Sequence, residues 1–215
     1  MIRRIAALAA ATLMIVTGSA TLSVANTYES HECFSKDLGR RIDACAKLLA
    51  QPDLSPTTRS TAHAMRALAL SMIGRYPEAI ADYDEAIALN PYYAIALNNR
   101  AWAHFRSGNI EAAWPDVRRS LRIDPFSPHA HDTRAHLYHA EGKAEQAYAD
   151  YQRAMQFGGS EMVKLYQCGL QSFGHYRGPR NGIISDELLL GLKACTADQK
   201  CDPLPPDEEC TAATS

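Results

Sequence analysis

The chain has 215 residues, with 22 Lys and Arg against 24 Asp and Glu and a formal net charge of −2 at pH 7. A slightly acidic chain without basic runs carries no electrostatic footprint for nucleic acid. Its hydrophobic content, 47%, is enough for one elongated core and a small appendage.

The first 25 residues read as a secretory leader: Arg3 and Arg4, an apolar run from Ile5 to Val16, then the small-residue site Ser23-Val24-Ala25. Thr12 and Thr17-Gly18-Ser19 interrupt the run, which falls short of the roughly 20 apolar residues of a membrane span. Cleavage after Ala25 removes two arginines and no acids, so the mature charge becomes −4 and no stable span remains. All six cysteines follow this segment, and no CxxC pair suggests zinc. An even count in an exported chain predicts disulfides and a periplasmic or secreted location.

After the leader, Ile42, Cys45, Leu48 and Leu49 mark one apolar helix face. A period of 34 residues then begins. It carries Arg66, Arg100 and Arg134; Ala67, Ala101 and Ala135; Gly74, Gly108 and Gly142; and Ala79, Ala113 and Ala147. Tyr83, Val117 and Tyr151 keep the same step, and Pro91 and Pro125 close the first two units. Such a period predicts a helix–turn–helix solenoid, here 60–93, 94–127 and 128–161. In each unit the first helix ends near the glycine and the second runs to an Asn-Pro or Asp-Pro stop. A fixed place for the arginines predicts a packing or ion-pair role. The carboxylates Asp82, Asp84 and Glu85 read as a solvated face.

The stretch GRYPEAIADYDEAIALNP closely resembles the tetratricopeptide repeat. The resemblance implies an all-α, right-handed superhelix of three repeats that binds on a concave surface and does no chemistry itself. It places the alanine pairs where the two helices of a unit meet. One unit upstream, residues 26–59 become a degenerate cap in which Cys33 and Cys45 take the two contacting small positions, implying a Cys33–Cys45 bridge. It also assigns the groove to one stripe of each first helix: Asn98, Trp102, Phe105 and Arg106 in the second repeat, His129, Asp132, His136 and His139 in the third. The last four fall within an arc of about 80°. Three readings fit them: a transition-metal site, weakly drawn on Asp132, His136 and His139; adaptable contacts for a peptide; or a solvated wall. Trp102 and Phe105 read as contact anchors or as ordinary inter-repeat packing.

Met162–Phe173 fits the first helix of a fourth unit, with Gly169 at the small position. GHYRGPRNGIIS then reads as a loop, and Asp186 as the cap of a short helix reaching about Cys195. Gln167, Leu170, Gly174, Tyr176, Gly178, Pro179 and Gly182 give residues 162–215 a resemblance to the peptidoglycan-binding-like helical domain. Asn181, Ser185, Leu188, Gly191-Leu192 and Cys195 depart from that pattern. The resemblance implies a loop, His175, Tyr176 and Arg177, touching glycan or stem peptide; alternatively Tyr176 packs on the helices. Of the three pairings of the last four cysteines, Cys168–Cys195 with Cys201–Cys210 is favoured, and the tail KCDPLPPDEEC is expected to lie along this module.

No GxSxG, HExxH or phosphate-binding glycine loop is present. The expected protein is a non-enzymatic periplasmic adaptor without cofactors that holds a protein or peptide of the cell envelope. The alternative is a peptidoglycan tether that uses the repeats as a spacer.

Overall fold

The computed structural model describes residues 31–204 and Cys210, so the leader reading of residues 1–25 lies outside the described residues. Among the described residues there are eight helices and no strand. They are α1 (Leu38–Leu49), α2 (Pro56–Met72), α3 (Tyr76–Leu89), α4 (Ala94–Arg106), α5 (Ile110–Ile123), α6 (Pro128–Ala140), α7 (Ala144–Ser172) and α8 (Asp186–Ala197). None is long and apolar enough to cross a membrane.

Local chemistry sets the boundaries. Ser55 and Ser127 cap α2 and α6 by accepting from Thr58 N–H and Ala130 N–H, each ahead of a proline whose missing N–H costs nothing in a first turn. At the other end, Gly74, Gly108 and Gly142 take φ of 77°, 84° and 72°. This left-handed turn lets Arg75, Asn109 and Lys143 N–H reach back to the carbonyls of Leu70, His104 and Tyr138. Gly174 repeats the device after α7, with His175 N–H on Leu170 O. Ser185, not Asp186, caps α8: its hydroxyl accepts from Leu188 N–H, and Asp186 sits in the first turn.

α7 is two helices joined at Gly159, where φ 65° and ψ −160° break the helical path. Gly159 stands 34 residues after Pro125, so a glycine performs the stop that proline performs earlier.

Helices pack on their sequence neighbours, and α2, α4 and α6 also meet one another to form an inner layer. Ala67, Ala79, Ala101, Ala113, Ala135 and Ala147 are all fully buried, so the helices of each pair approach closely. The arginines are structural. Arg66, Arg100 and Arg134 each hold an aspartate sixteen residues on (Asp82, Asp116, Asp150) through two hydrogen bonds of 2.6–2.8 Å. Asp82 is therefore buried rather than solvated, and only Asp84 and Glu85 are exposed. Asp84 meets Arg100 of the next helix at 2.6 Å, stitching two units together.

Cys33 and Cys45 are bridged with Cα atoms 4.7 Å apart, packed with Leu48 and Ala62. Arg59 closes the end of α1 by donating to the carbonyls of Leu49 and Gln51. The other bridges correct the expected pairing: they are Cys168–Cys210 and Cys195–Cys201. The chain turns at the end of α8, where Cys201 N–H donates to Asp198 O at 3.0 Å, and this turn brings Cys201 back to Cys195. Cys168, on the second half of α7, is left for Cys210.

Candidate functional site

The first helices contribute one ladder of side chains per position along the inner layer. Trp102 and His136, 34 residues apart, stand edge to face with ring centroids 5.2 Å apart, and Phe105 lies 5.8 Å from His136. Arg106 lies over Trp102 at 5.4 Å. Trp102 and Phe105 are half-buried and Arg106 is exposed.

The third repeat is different. Asp132, His136 and His139 are buried, whereas His129 at the start of α6 is exposed. They are covered by residues 198–204, the segment after α8, which lies across α6 as a strap. His136 Nε2 meets Asp202 Oδ1 at 3.1 Å, His139 Nε2 donates to Asp198 O at 3.2 Å, and Gln199 Nε2 donates to His139 O at 3.2 Å. Below them Tyr166 donates its hydroxyl to Asp132 Oδ1 at 2.5 Å. Cys201 and Leu204 join the core formed with Tyr151, Tyr166, Leu188 and Leu192.

Burial by itself would lower the His136 pKa, but Asp132 and Asp202 on either side reverse this and bring it up to about 9. The shift favours the charged form of His136, with Asp202, whose pKa is lowered by this contact despite burial, as the carboxylate opposite; burial raises the pKa of Asp132 beneath it. His139 shifts the other way, because burial dominates and its partner is a neutral carbonyl. Asp132, His136 and His139 do not assemble into a metal site. Both nitrogens of His136 are engaged, Nδ1 with Asp132 O at 2.9 Å and Nε2 with Asp202, and no group of three metal-ligating residues occurs among the described residues.

Beside the strap a cavity of about 220 Å³ remains, lined by Trp102, Phe105, Arg106, His139, Lys200 and Asp202. A larger one, about 350 Å³, lies among α1, α2 and α3, but its arginines Arg66 and Arg75 already hold Asp82 and Glu78. Asn98, the remaining groove candidate, is buried with its side-chain oxygen lacking a hydrogen-bond partner among the described residues.

The C-terminal loop candidates separate as well. Tyr176 is 4% exposed and donates to Pro179 O at 3.0 Å, so its ring shapes the turn and does not reach the surface. His175 is half-buried with Nε2 3.9 Å from Asp198 of the strap; Arg177 is exposed.

Residues 64–128 match the tetratricopeptide-repeat family model. A crystal structure of MamA superposes with a TM-score of 0.50 at 22% identity, covering 64% of this chain and 75% of that one. MamA from Desulfovibrio magneticus RS-1, residue 41 to its end, gives 0.54 at 14% identity, covering 69% and 81%. At these identities the likeness concerns the fold, and the all-helical fold is that of a tetratricopeptide-repeat superhelix. No curated protein matches the sequence.

Sequence reasoning missed two sets of residues. The buried acids Asp82, Asp116 and Asp150 were readable, since they keep the 34-residue step at a constant offset of sixteen from the arginines. Asp198 and Asp202 were not: they meet α6 from more than fifty residues away, and no periodicity marks them.

Proposed function

We propose that this chain is a non-enzymatic adaptor of the bacterial cell envelope, which binds a segment of another protein on the inner face of α4 and α6. The observation that carries this is the cluster Trp102, Phe105 and Arg106. Two half-exposed aromatics and a cation line a cavity on the inner layer, where a partner gains buried area from rigid side chains. An envelope setting is supported by the bonding of all six cysteines in three disulfides, which persist in oxidising compartments. The leader-like residues 1–25 agree with it.

A photo-crosslinking residue in place of Phe105 of the full chain, expressed in its own host, tests this reading. A discrete cross-linked protein is expected from position 105 and none from Glu85, an exposed residue of α3. Equal labelling from both positions, or none from 105, would overturn it.

The tether reading rests on the sequence resemblance of residues 162–215. With Tyr176 buried and His175 turned to the strap, its glycan contact falls to the exposed Arg177. Co-sedimentation of the oxidised chain with purified sacculi, lost in Arg177→Ala, would support it; a chain that stays in the supernatant would end it.

A further inference from the structure

We propose that residues 198–204 are an internal ligand of the inner face, and that a partner reaches His136 and His139 only by displacing them with an acidic, extended segment of its own. This rests on the adaptor reading above and adds what the partner carries and what it must compete with.

The strap meets the solenoid as a bound peptide would. One carboxylate, Asp202, pairs with the His136 imidazole; one backbone carbonyl, Asp198 O, accepts from His139; one side-chain amide, Gln199, donates to a helix carbonyl. Two residues after the acid, Leu204 rests on the apolar core. Apart from the side-chain amide, each of these contacts needs only a carboxylate, a backbone carbonyl and an aliphatic side chain at that spacing, all of which a foreign segment can supply.

The face is also not a pure packing solution. A solenoid end capped for stability alone is served by apolar residues, because burying an ion pair recovers little net free energy over hydrophobic side chains of the same shape. Here the charge is built in from beneath: Asp132, held by Tyr166, sits under His136 before the strap adds Asp202.

Geometry fixes where competition occurs. The strap covers the third repeat and stops at the cavity that Trp102, Phe105 and Arg106 line on the second. A partner first seated on the aromatics meets Lys200 and Asp202 as it extends toward α6. The Cys195–Cys201 bridge closes the strap's first turn and holds Asp202 in place to resist it.

The probe is a fluorescein-labelled peptide of residues 194–206 closed by its own Cys195–Cys201 bridge. It is added to the oxidised full chain, to Asp202→Asn, and to Cys195→Ser/Cys201→Ser. In each, Trp114→Phe leaves Trp102 as the only reporter of opening. Anisotropy is expected to show binding at least tenfold tighter to the opened variants than to the parent chain. The same peptide carrying Asp202→Asn is expected to bind at least tenfold more weakly. Equal affinity for parent and variants would overturn the proposal. So would absence of binding to a variant that keeps its helical circular dichroism and exposes Trp102 to acrylamide. If the double serine variant does not fold, Asp202→Asn carries the comparison, and unchanged Trp102 quenching there also counts against the strap. A partner cross-linked at position 105 while the peptide fails removes this inference and keeps the adaptor reading; peptide binding with no partner cross-linked shows a displaceable strap but removes the adaptor reading, and with it the acidic partner segment inferred here.

Discussion

Two aspartates of the third repeat are buried, and they are neutralised by opposite strategies. Asp150, between α6 and α7, is held by Arg134 and Arg153 and contacts His131, all local groups, and the Arg–Asp pair recurs in every repeat. Asp132, on the inner face, has His136 and Tyr166 beside it, and that cluster is completed only when Asp202 arrives from the end of the chain. The first arrangement is periodic and belongs to the architecture. The second occurs once, which is the pattern expected where a repeat fold has been specialised.

The sharpest way to break the contrast is to remove the periodic acid. Asp150→Ala leaves Arg134 without its two-pronged partner in a site where the carboxylate is 1% exposed. Loss of one member of a buried pair costs about 3–5 kcal/mol, and a urea titration should show it as a lower midpoint. The pH dependence has a definite sign. Arginine and histidine hydrogen bonds hold the Asp150 pKa well below the ordinary carboxylate range despite burial. Its stabilisation is therefore complete above the unfolded value, about 3.9, and is lost as pH falls below it. Asp150→Ala should lose that acid-range slope.

A second test moves to the segment before the first repeat, where a covalent bridge joins Cys45 of α1 to Cys33. Replacing both Cys33 and Cys45 by serine opens a loop of separation 12 and should cost about 3 kcal/mol. Hydrogen exchange should rise first in α1, with α4 to α7 protected, because α1 packs on α2 and not on the inner layer beyond it.

Close approach at the C-terminal end gives a smaller effect. A Cβ on Gly191 would lie 2.2 Å from the carbonyl oxygen of His175, a backbone atom that cannot swing aside. Gly191→Ala should destabilise by about 1–3 kcal/mol through overpacking, while Gly108→Ala probes a different penalty, since only its positive φ resists substitution. Thermal unfolding of the two variants separates crowding from backbone conformation.

What the sequence reveals divides along the same line. The helix pairs and turn glycines follow from a 34-residue step, and the alanine contacts and the Cys33–Cys45 staple from the resemblance to the tetratricopeptide repeat, because each of these contacts lies within a single unit. Gly159 in the place of Pro125 is legible on the same ground. The strap is not: the contact of Asp202 with His136 spans 66 residues and obeys no period. The Cys195–Cys201 bridge, which creates that contact by folding the tail back, could not be chosen over two other pairings from spacing alone. The histidine stripe was thus seen as a group, but its closed state was invisible.

The smallest expected effect tests the strap without altering any residue. His136 is raised to about 9, with burial opposing and Asp132 and Asp202 overcoming it. A raised histidine contributes stability that is complete below its unfolded value, near 6.5, and is lost as pH rises through the folded value. The His136–Asp202 contact should therefore persist at pH 7 and weaken between pH 8 and 10. The other groups facing it there are Asp132, Tyr151, Tyr166, His139 and Arg106. Both tyrosines are raised by burial, so neither loses its proton in that range, and His139 is already neutral because its own pKa is lowered. Global unfolding is not expected, since Cys195–Cys201 and Cys168–Cys210 tether the strap at both ends. The readout is local: hydrogen exchange at Cys201 and Leu204 should accelerate over this window beyond the ordinary tenfold rise per pH unit, while α4 and α5 keep their protection. If the strap amides keep their protection through pH 10, the ion pair does not hold the strap, and its apolar contacts and bridges hold it instead.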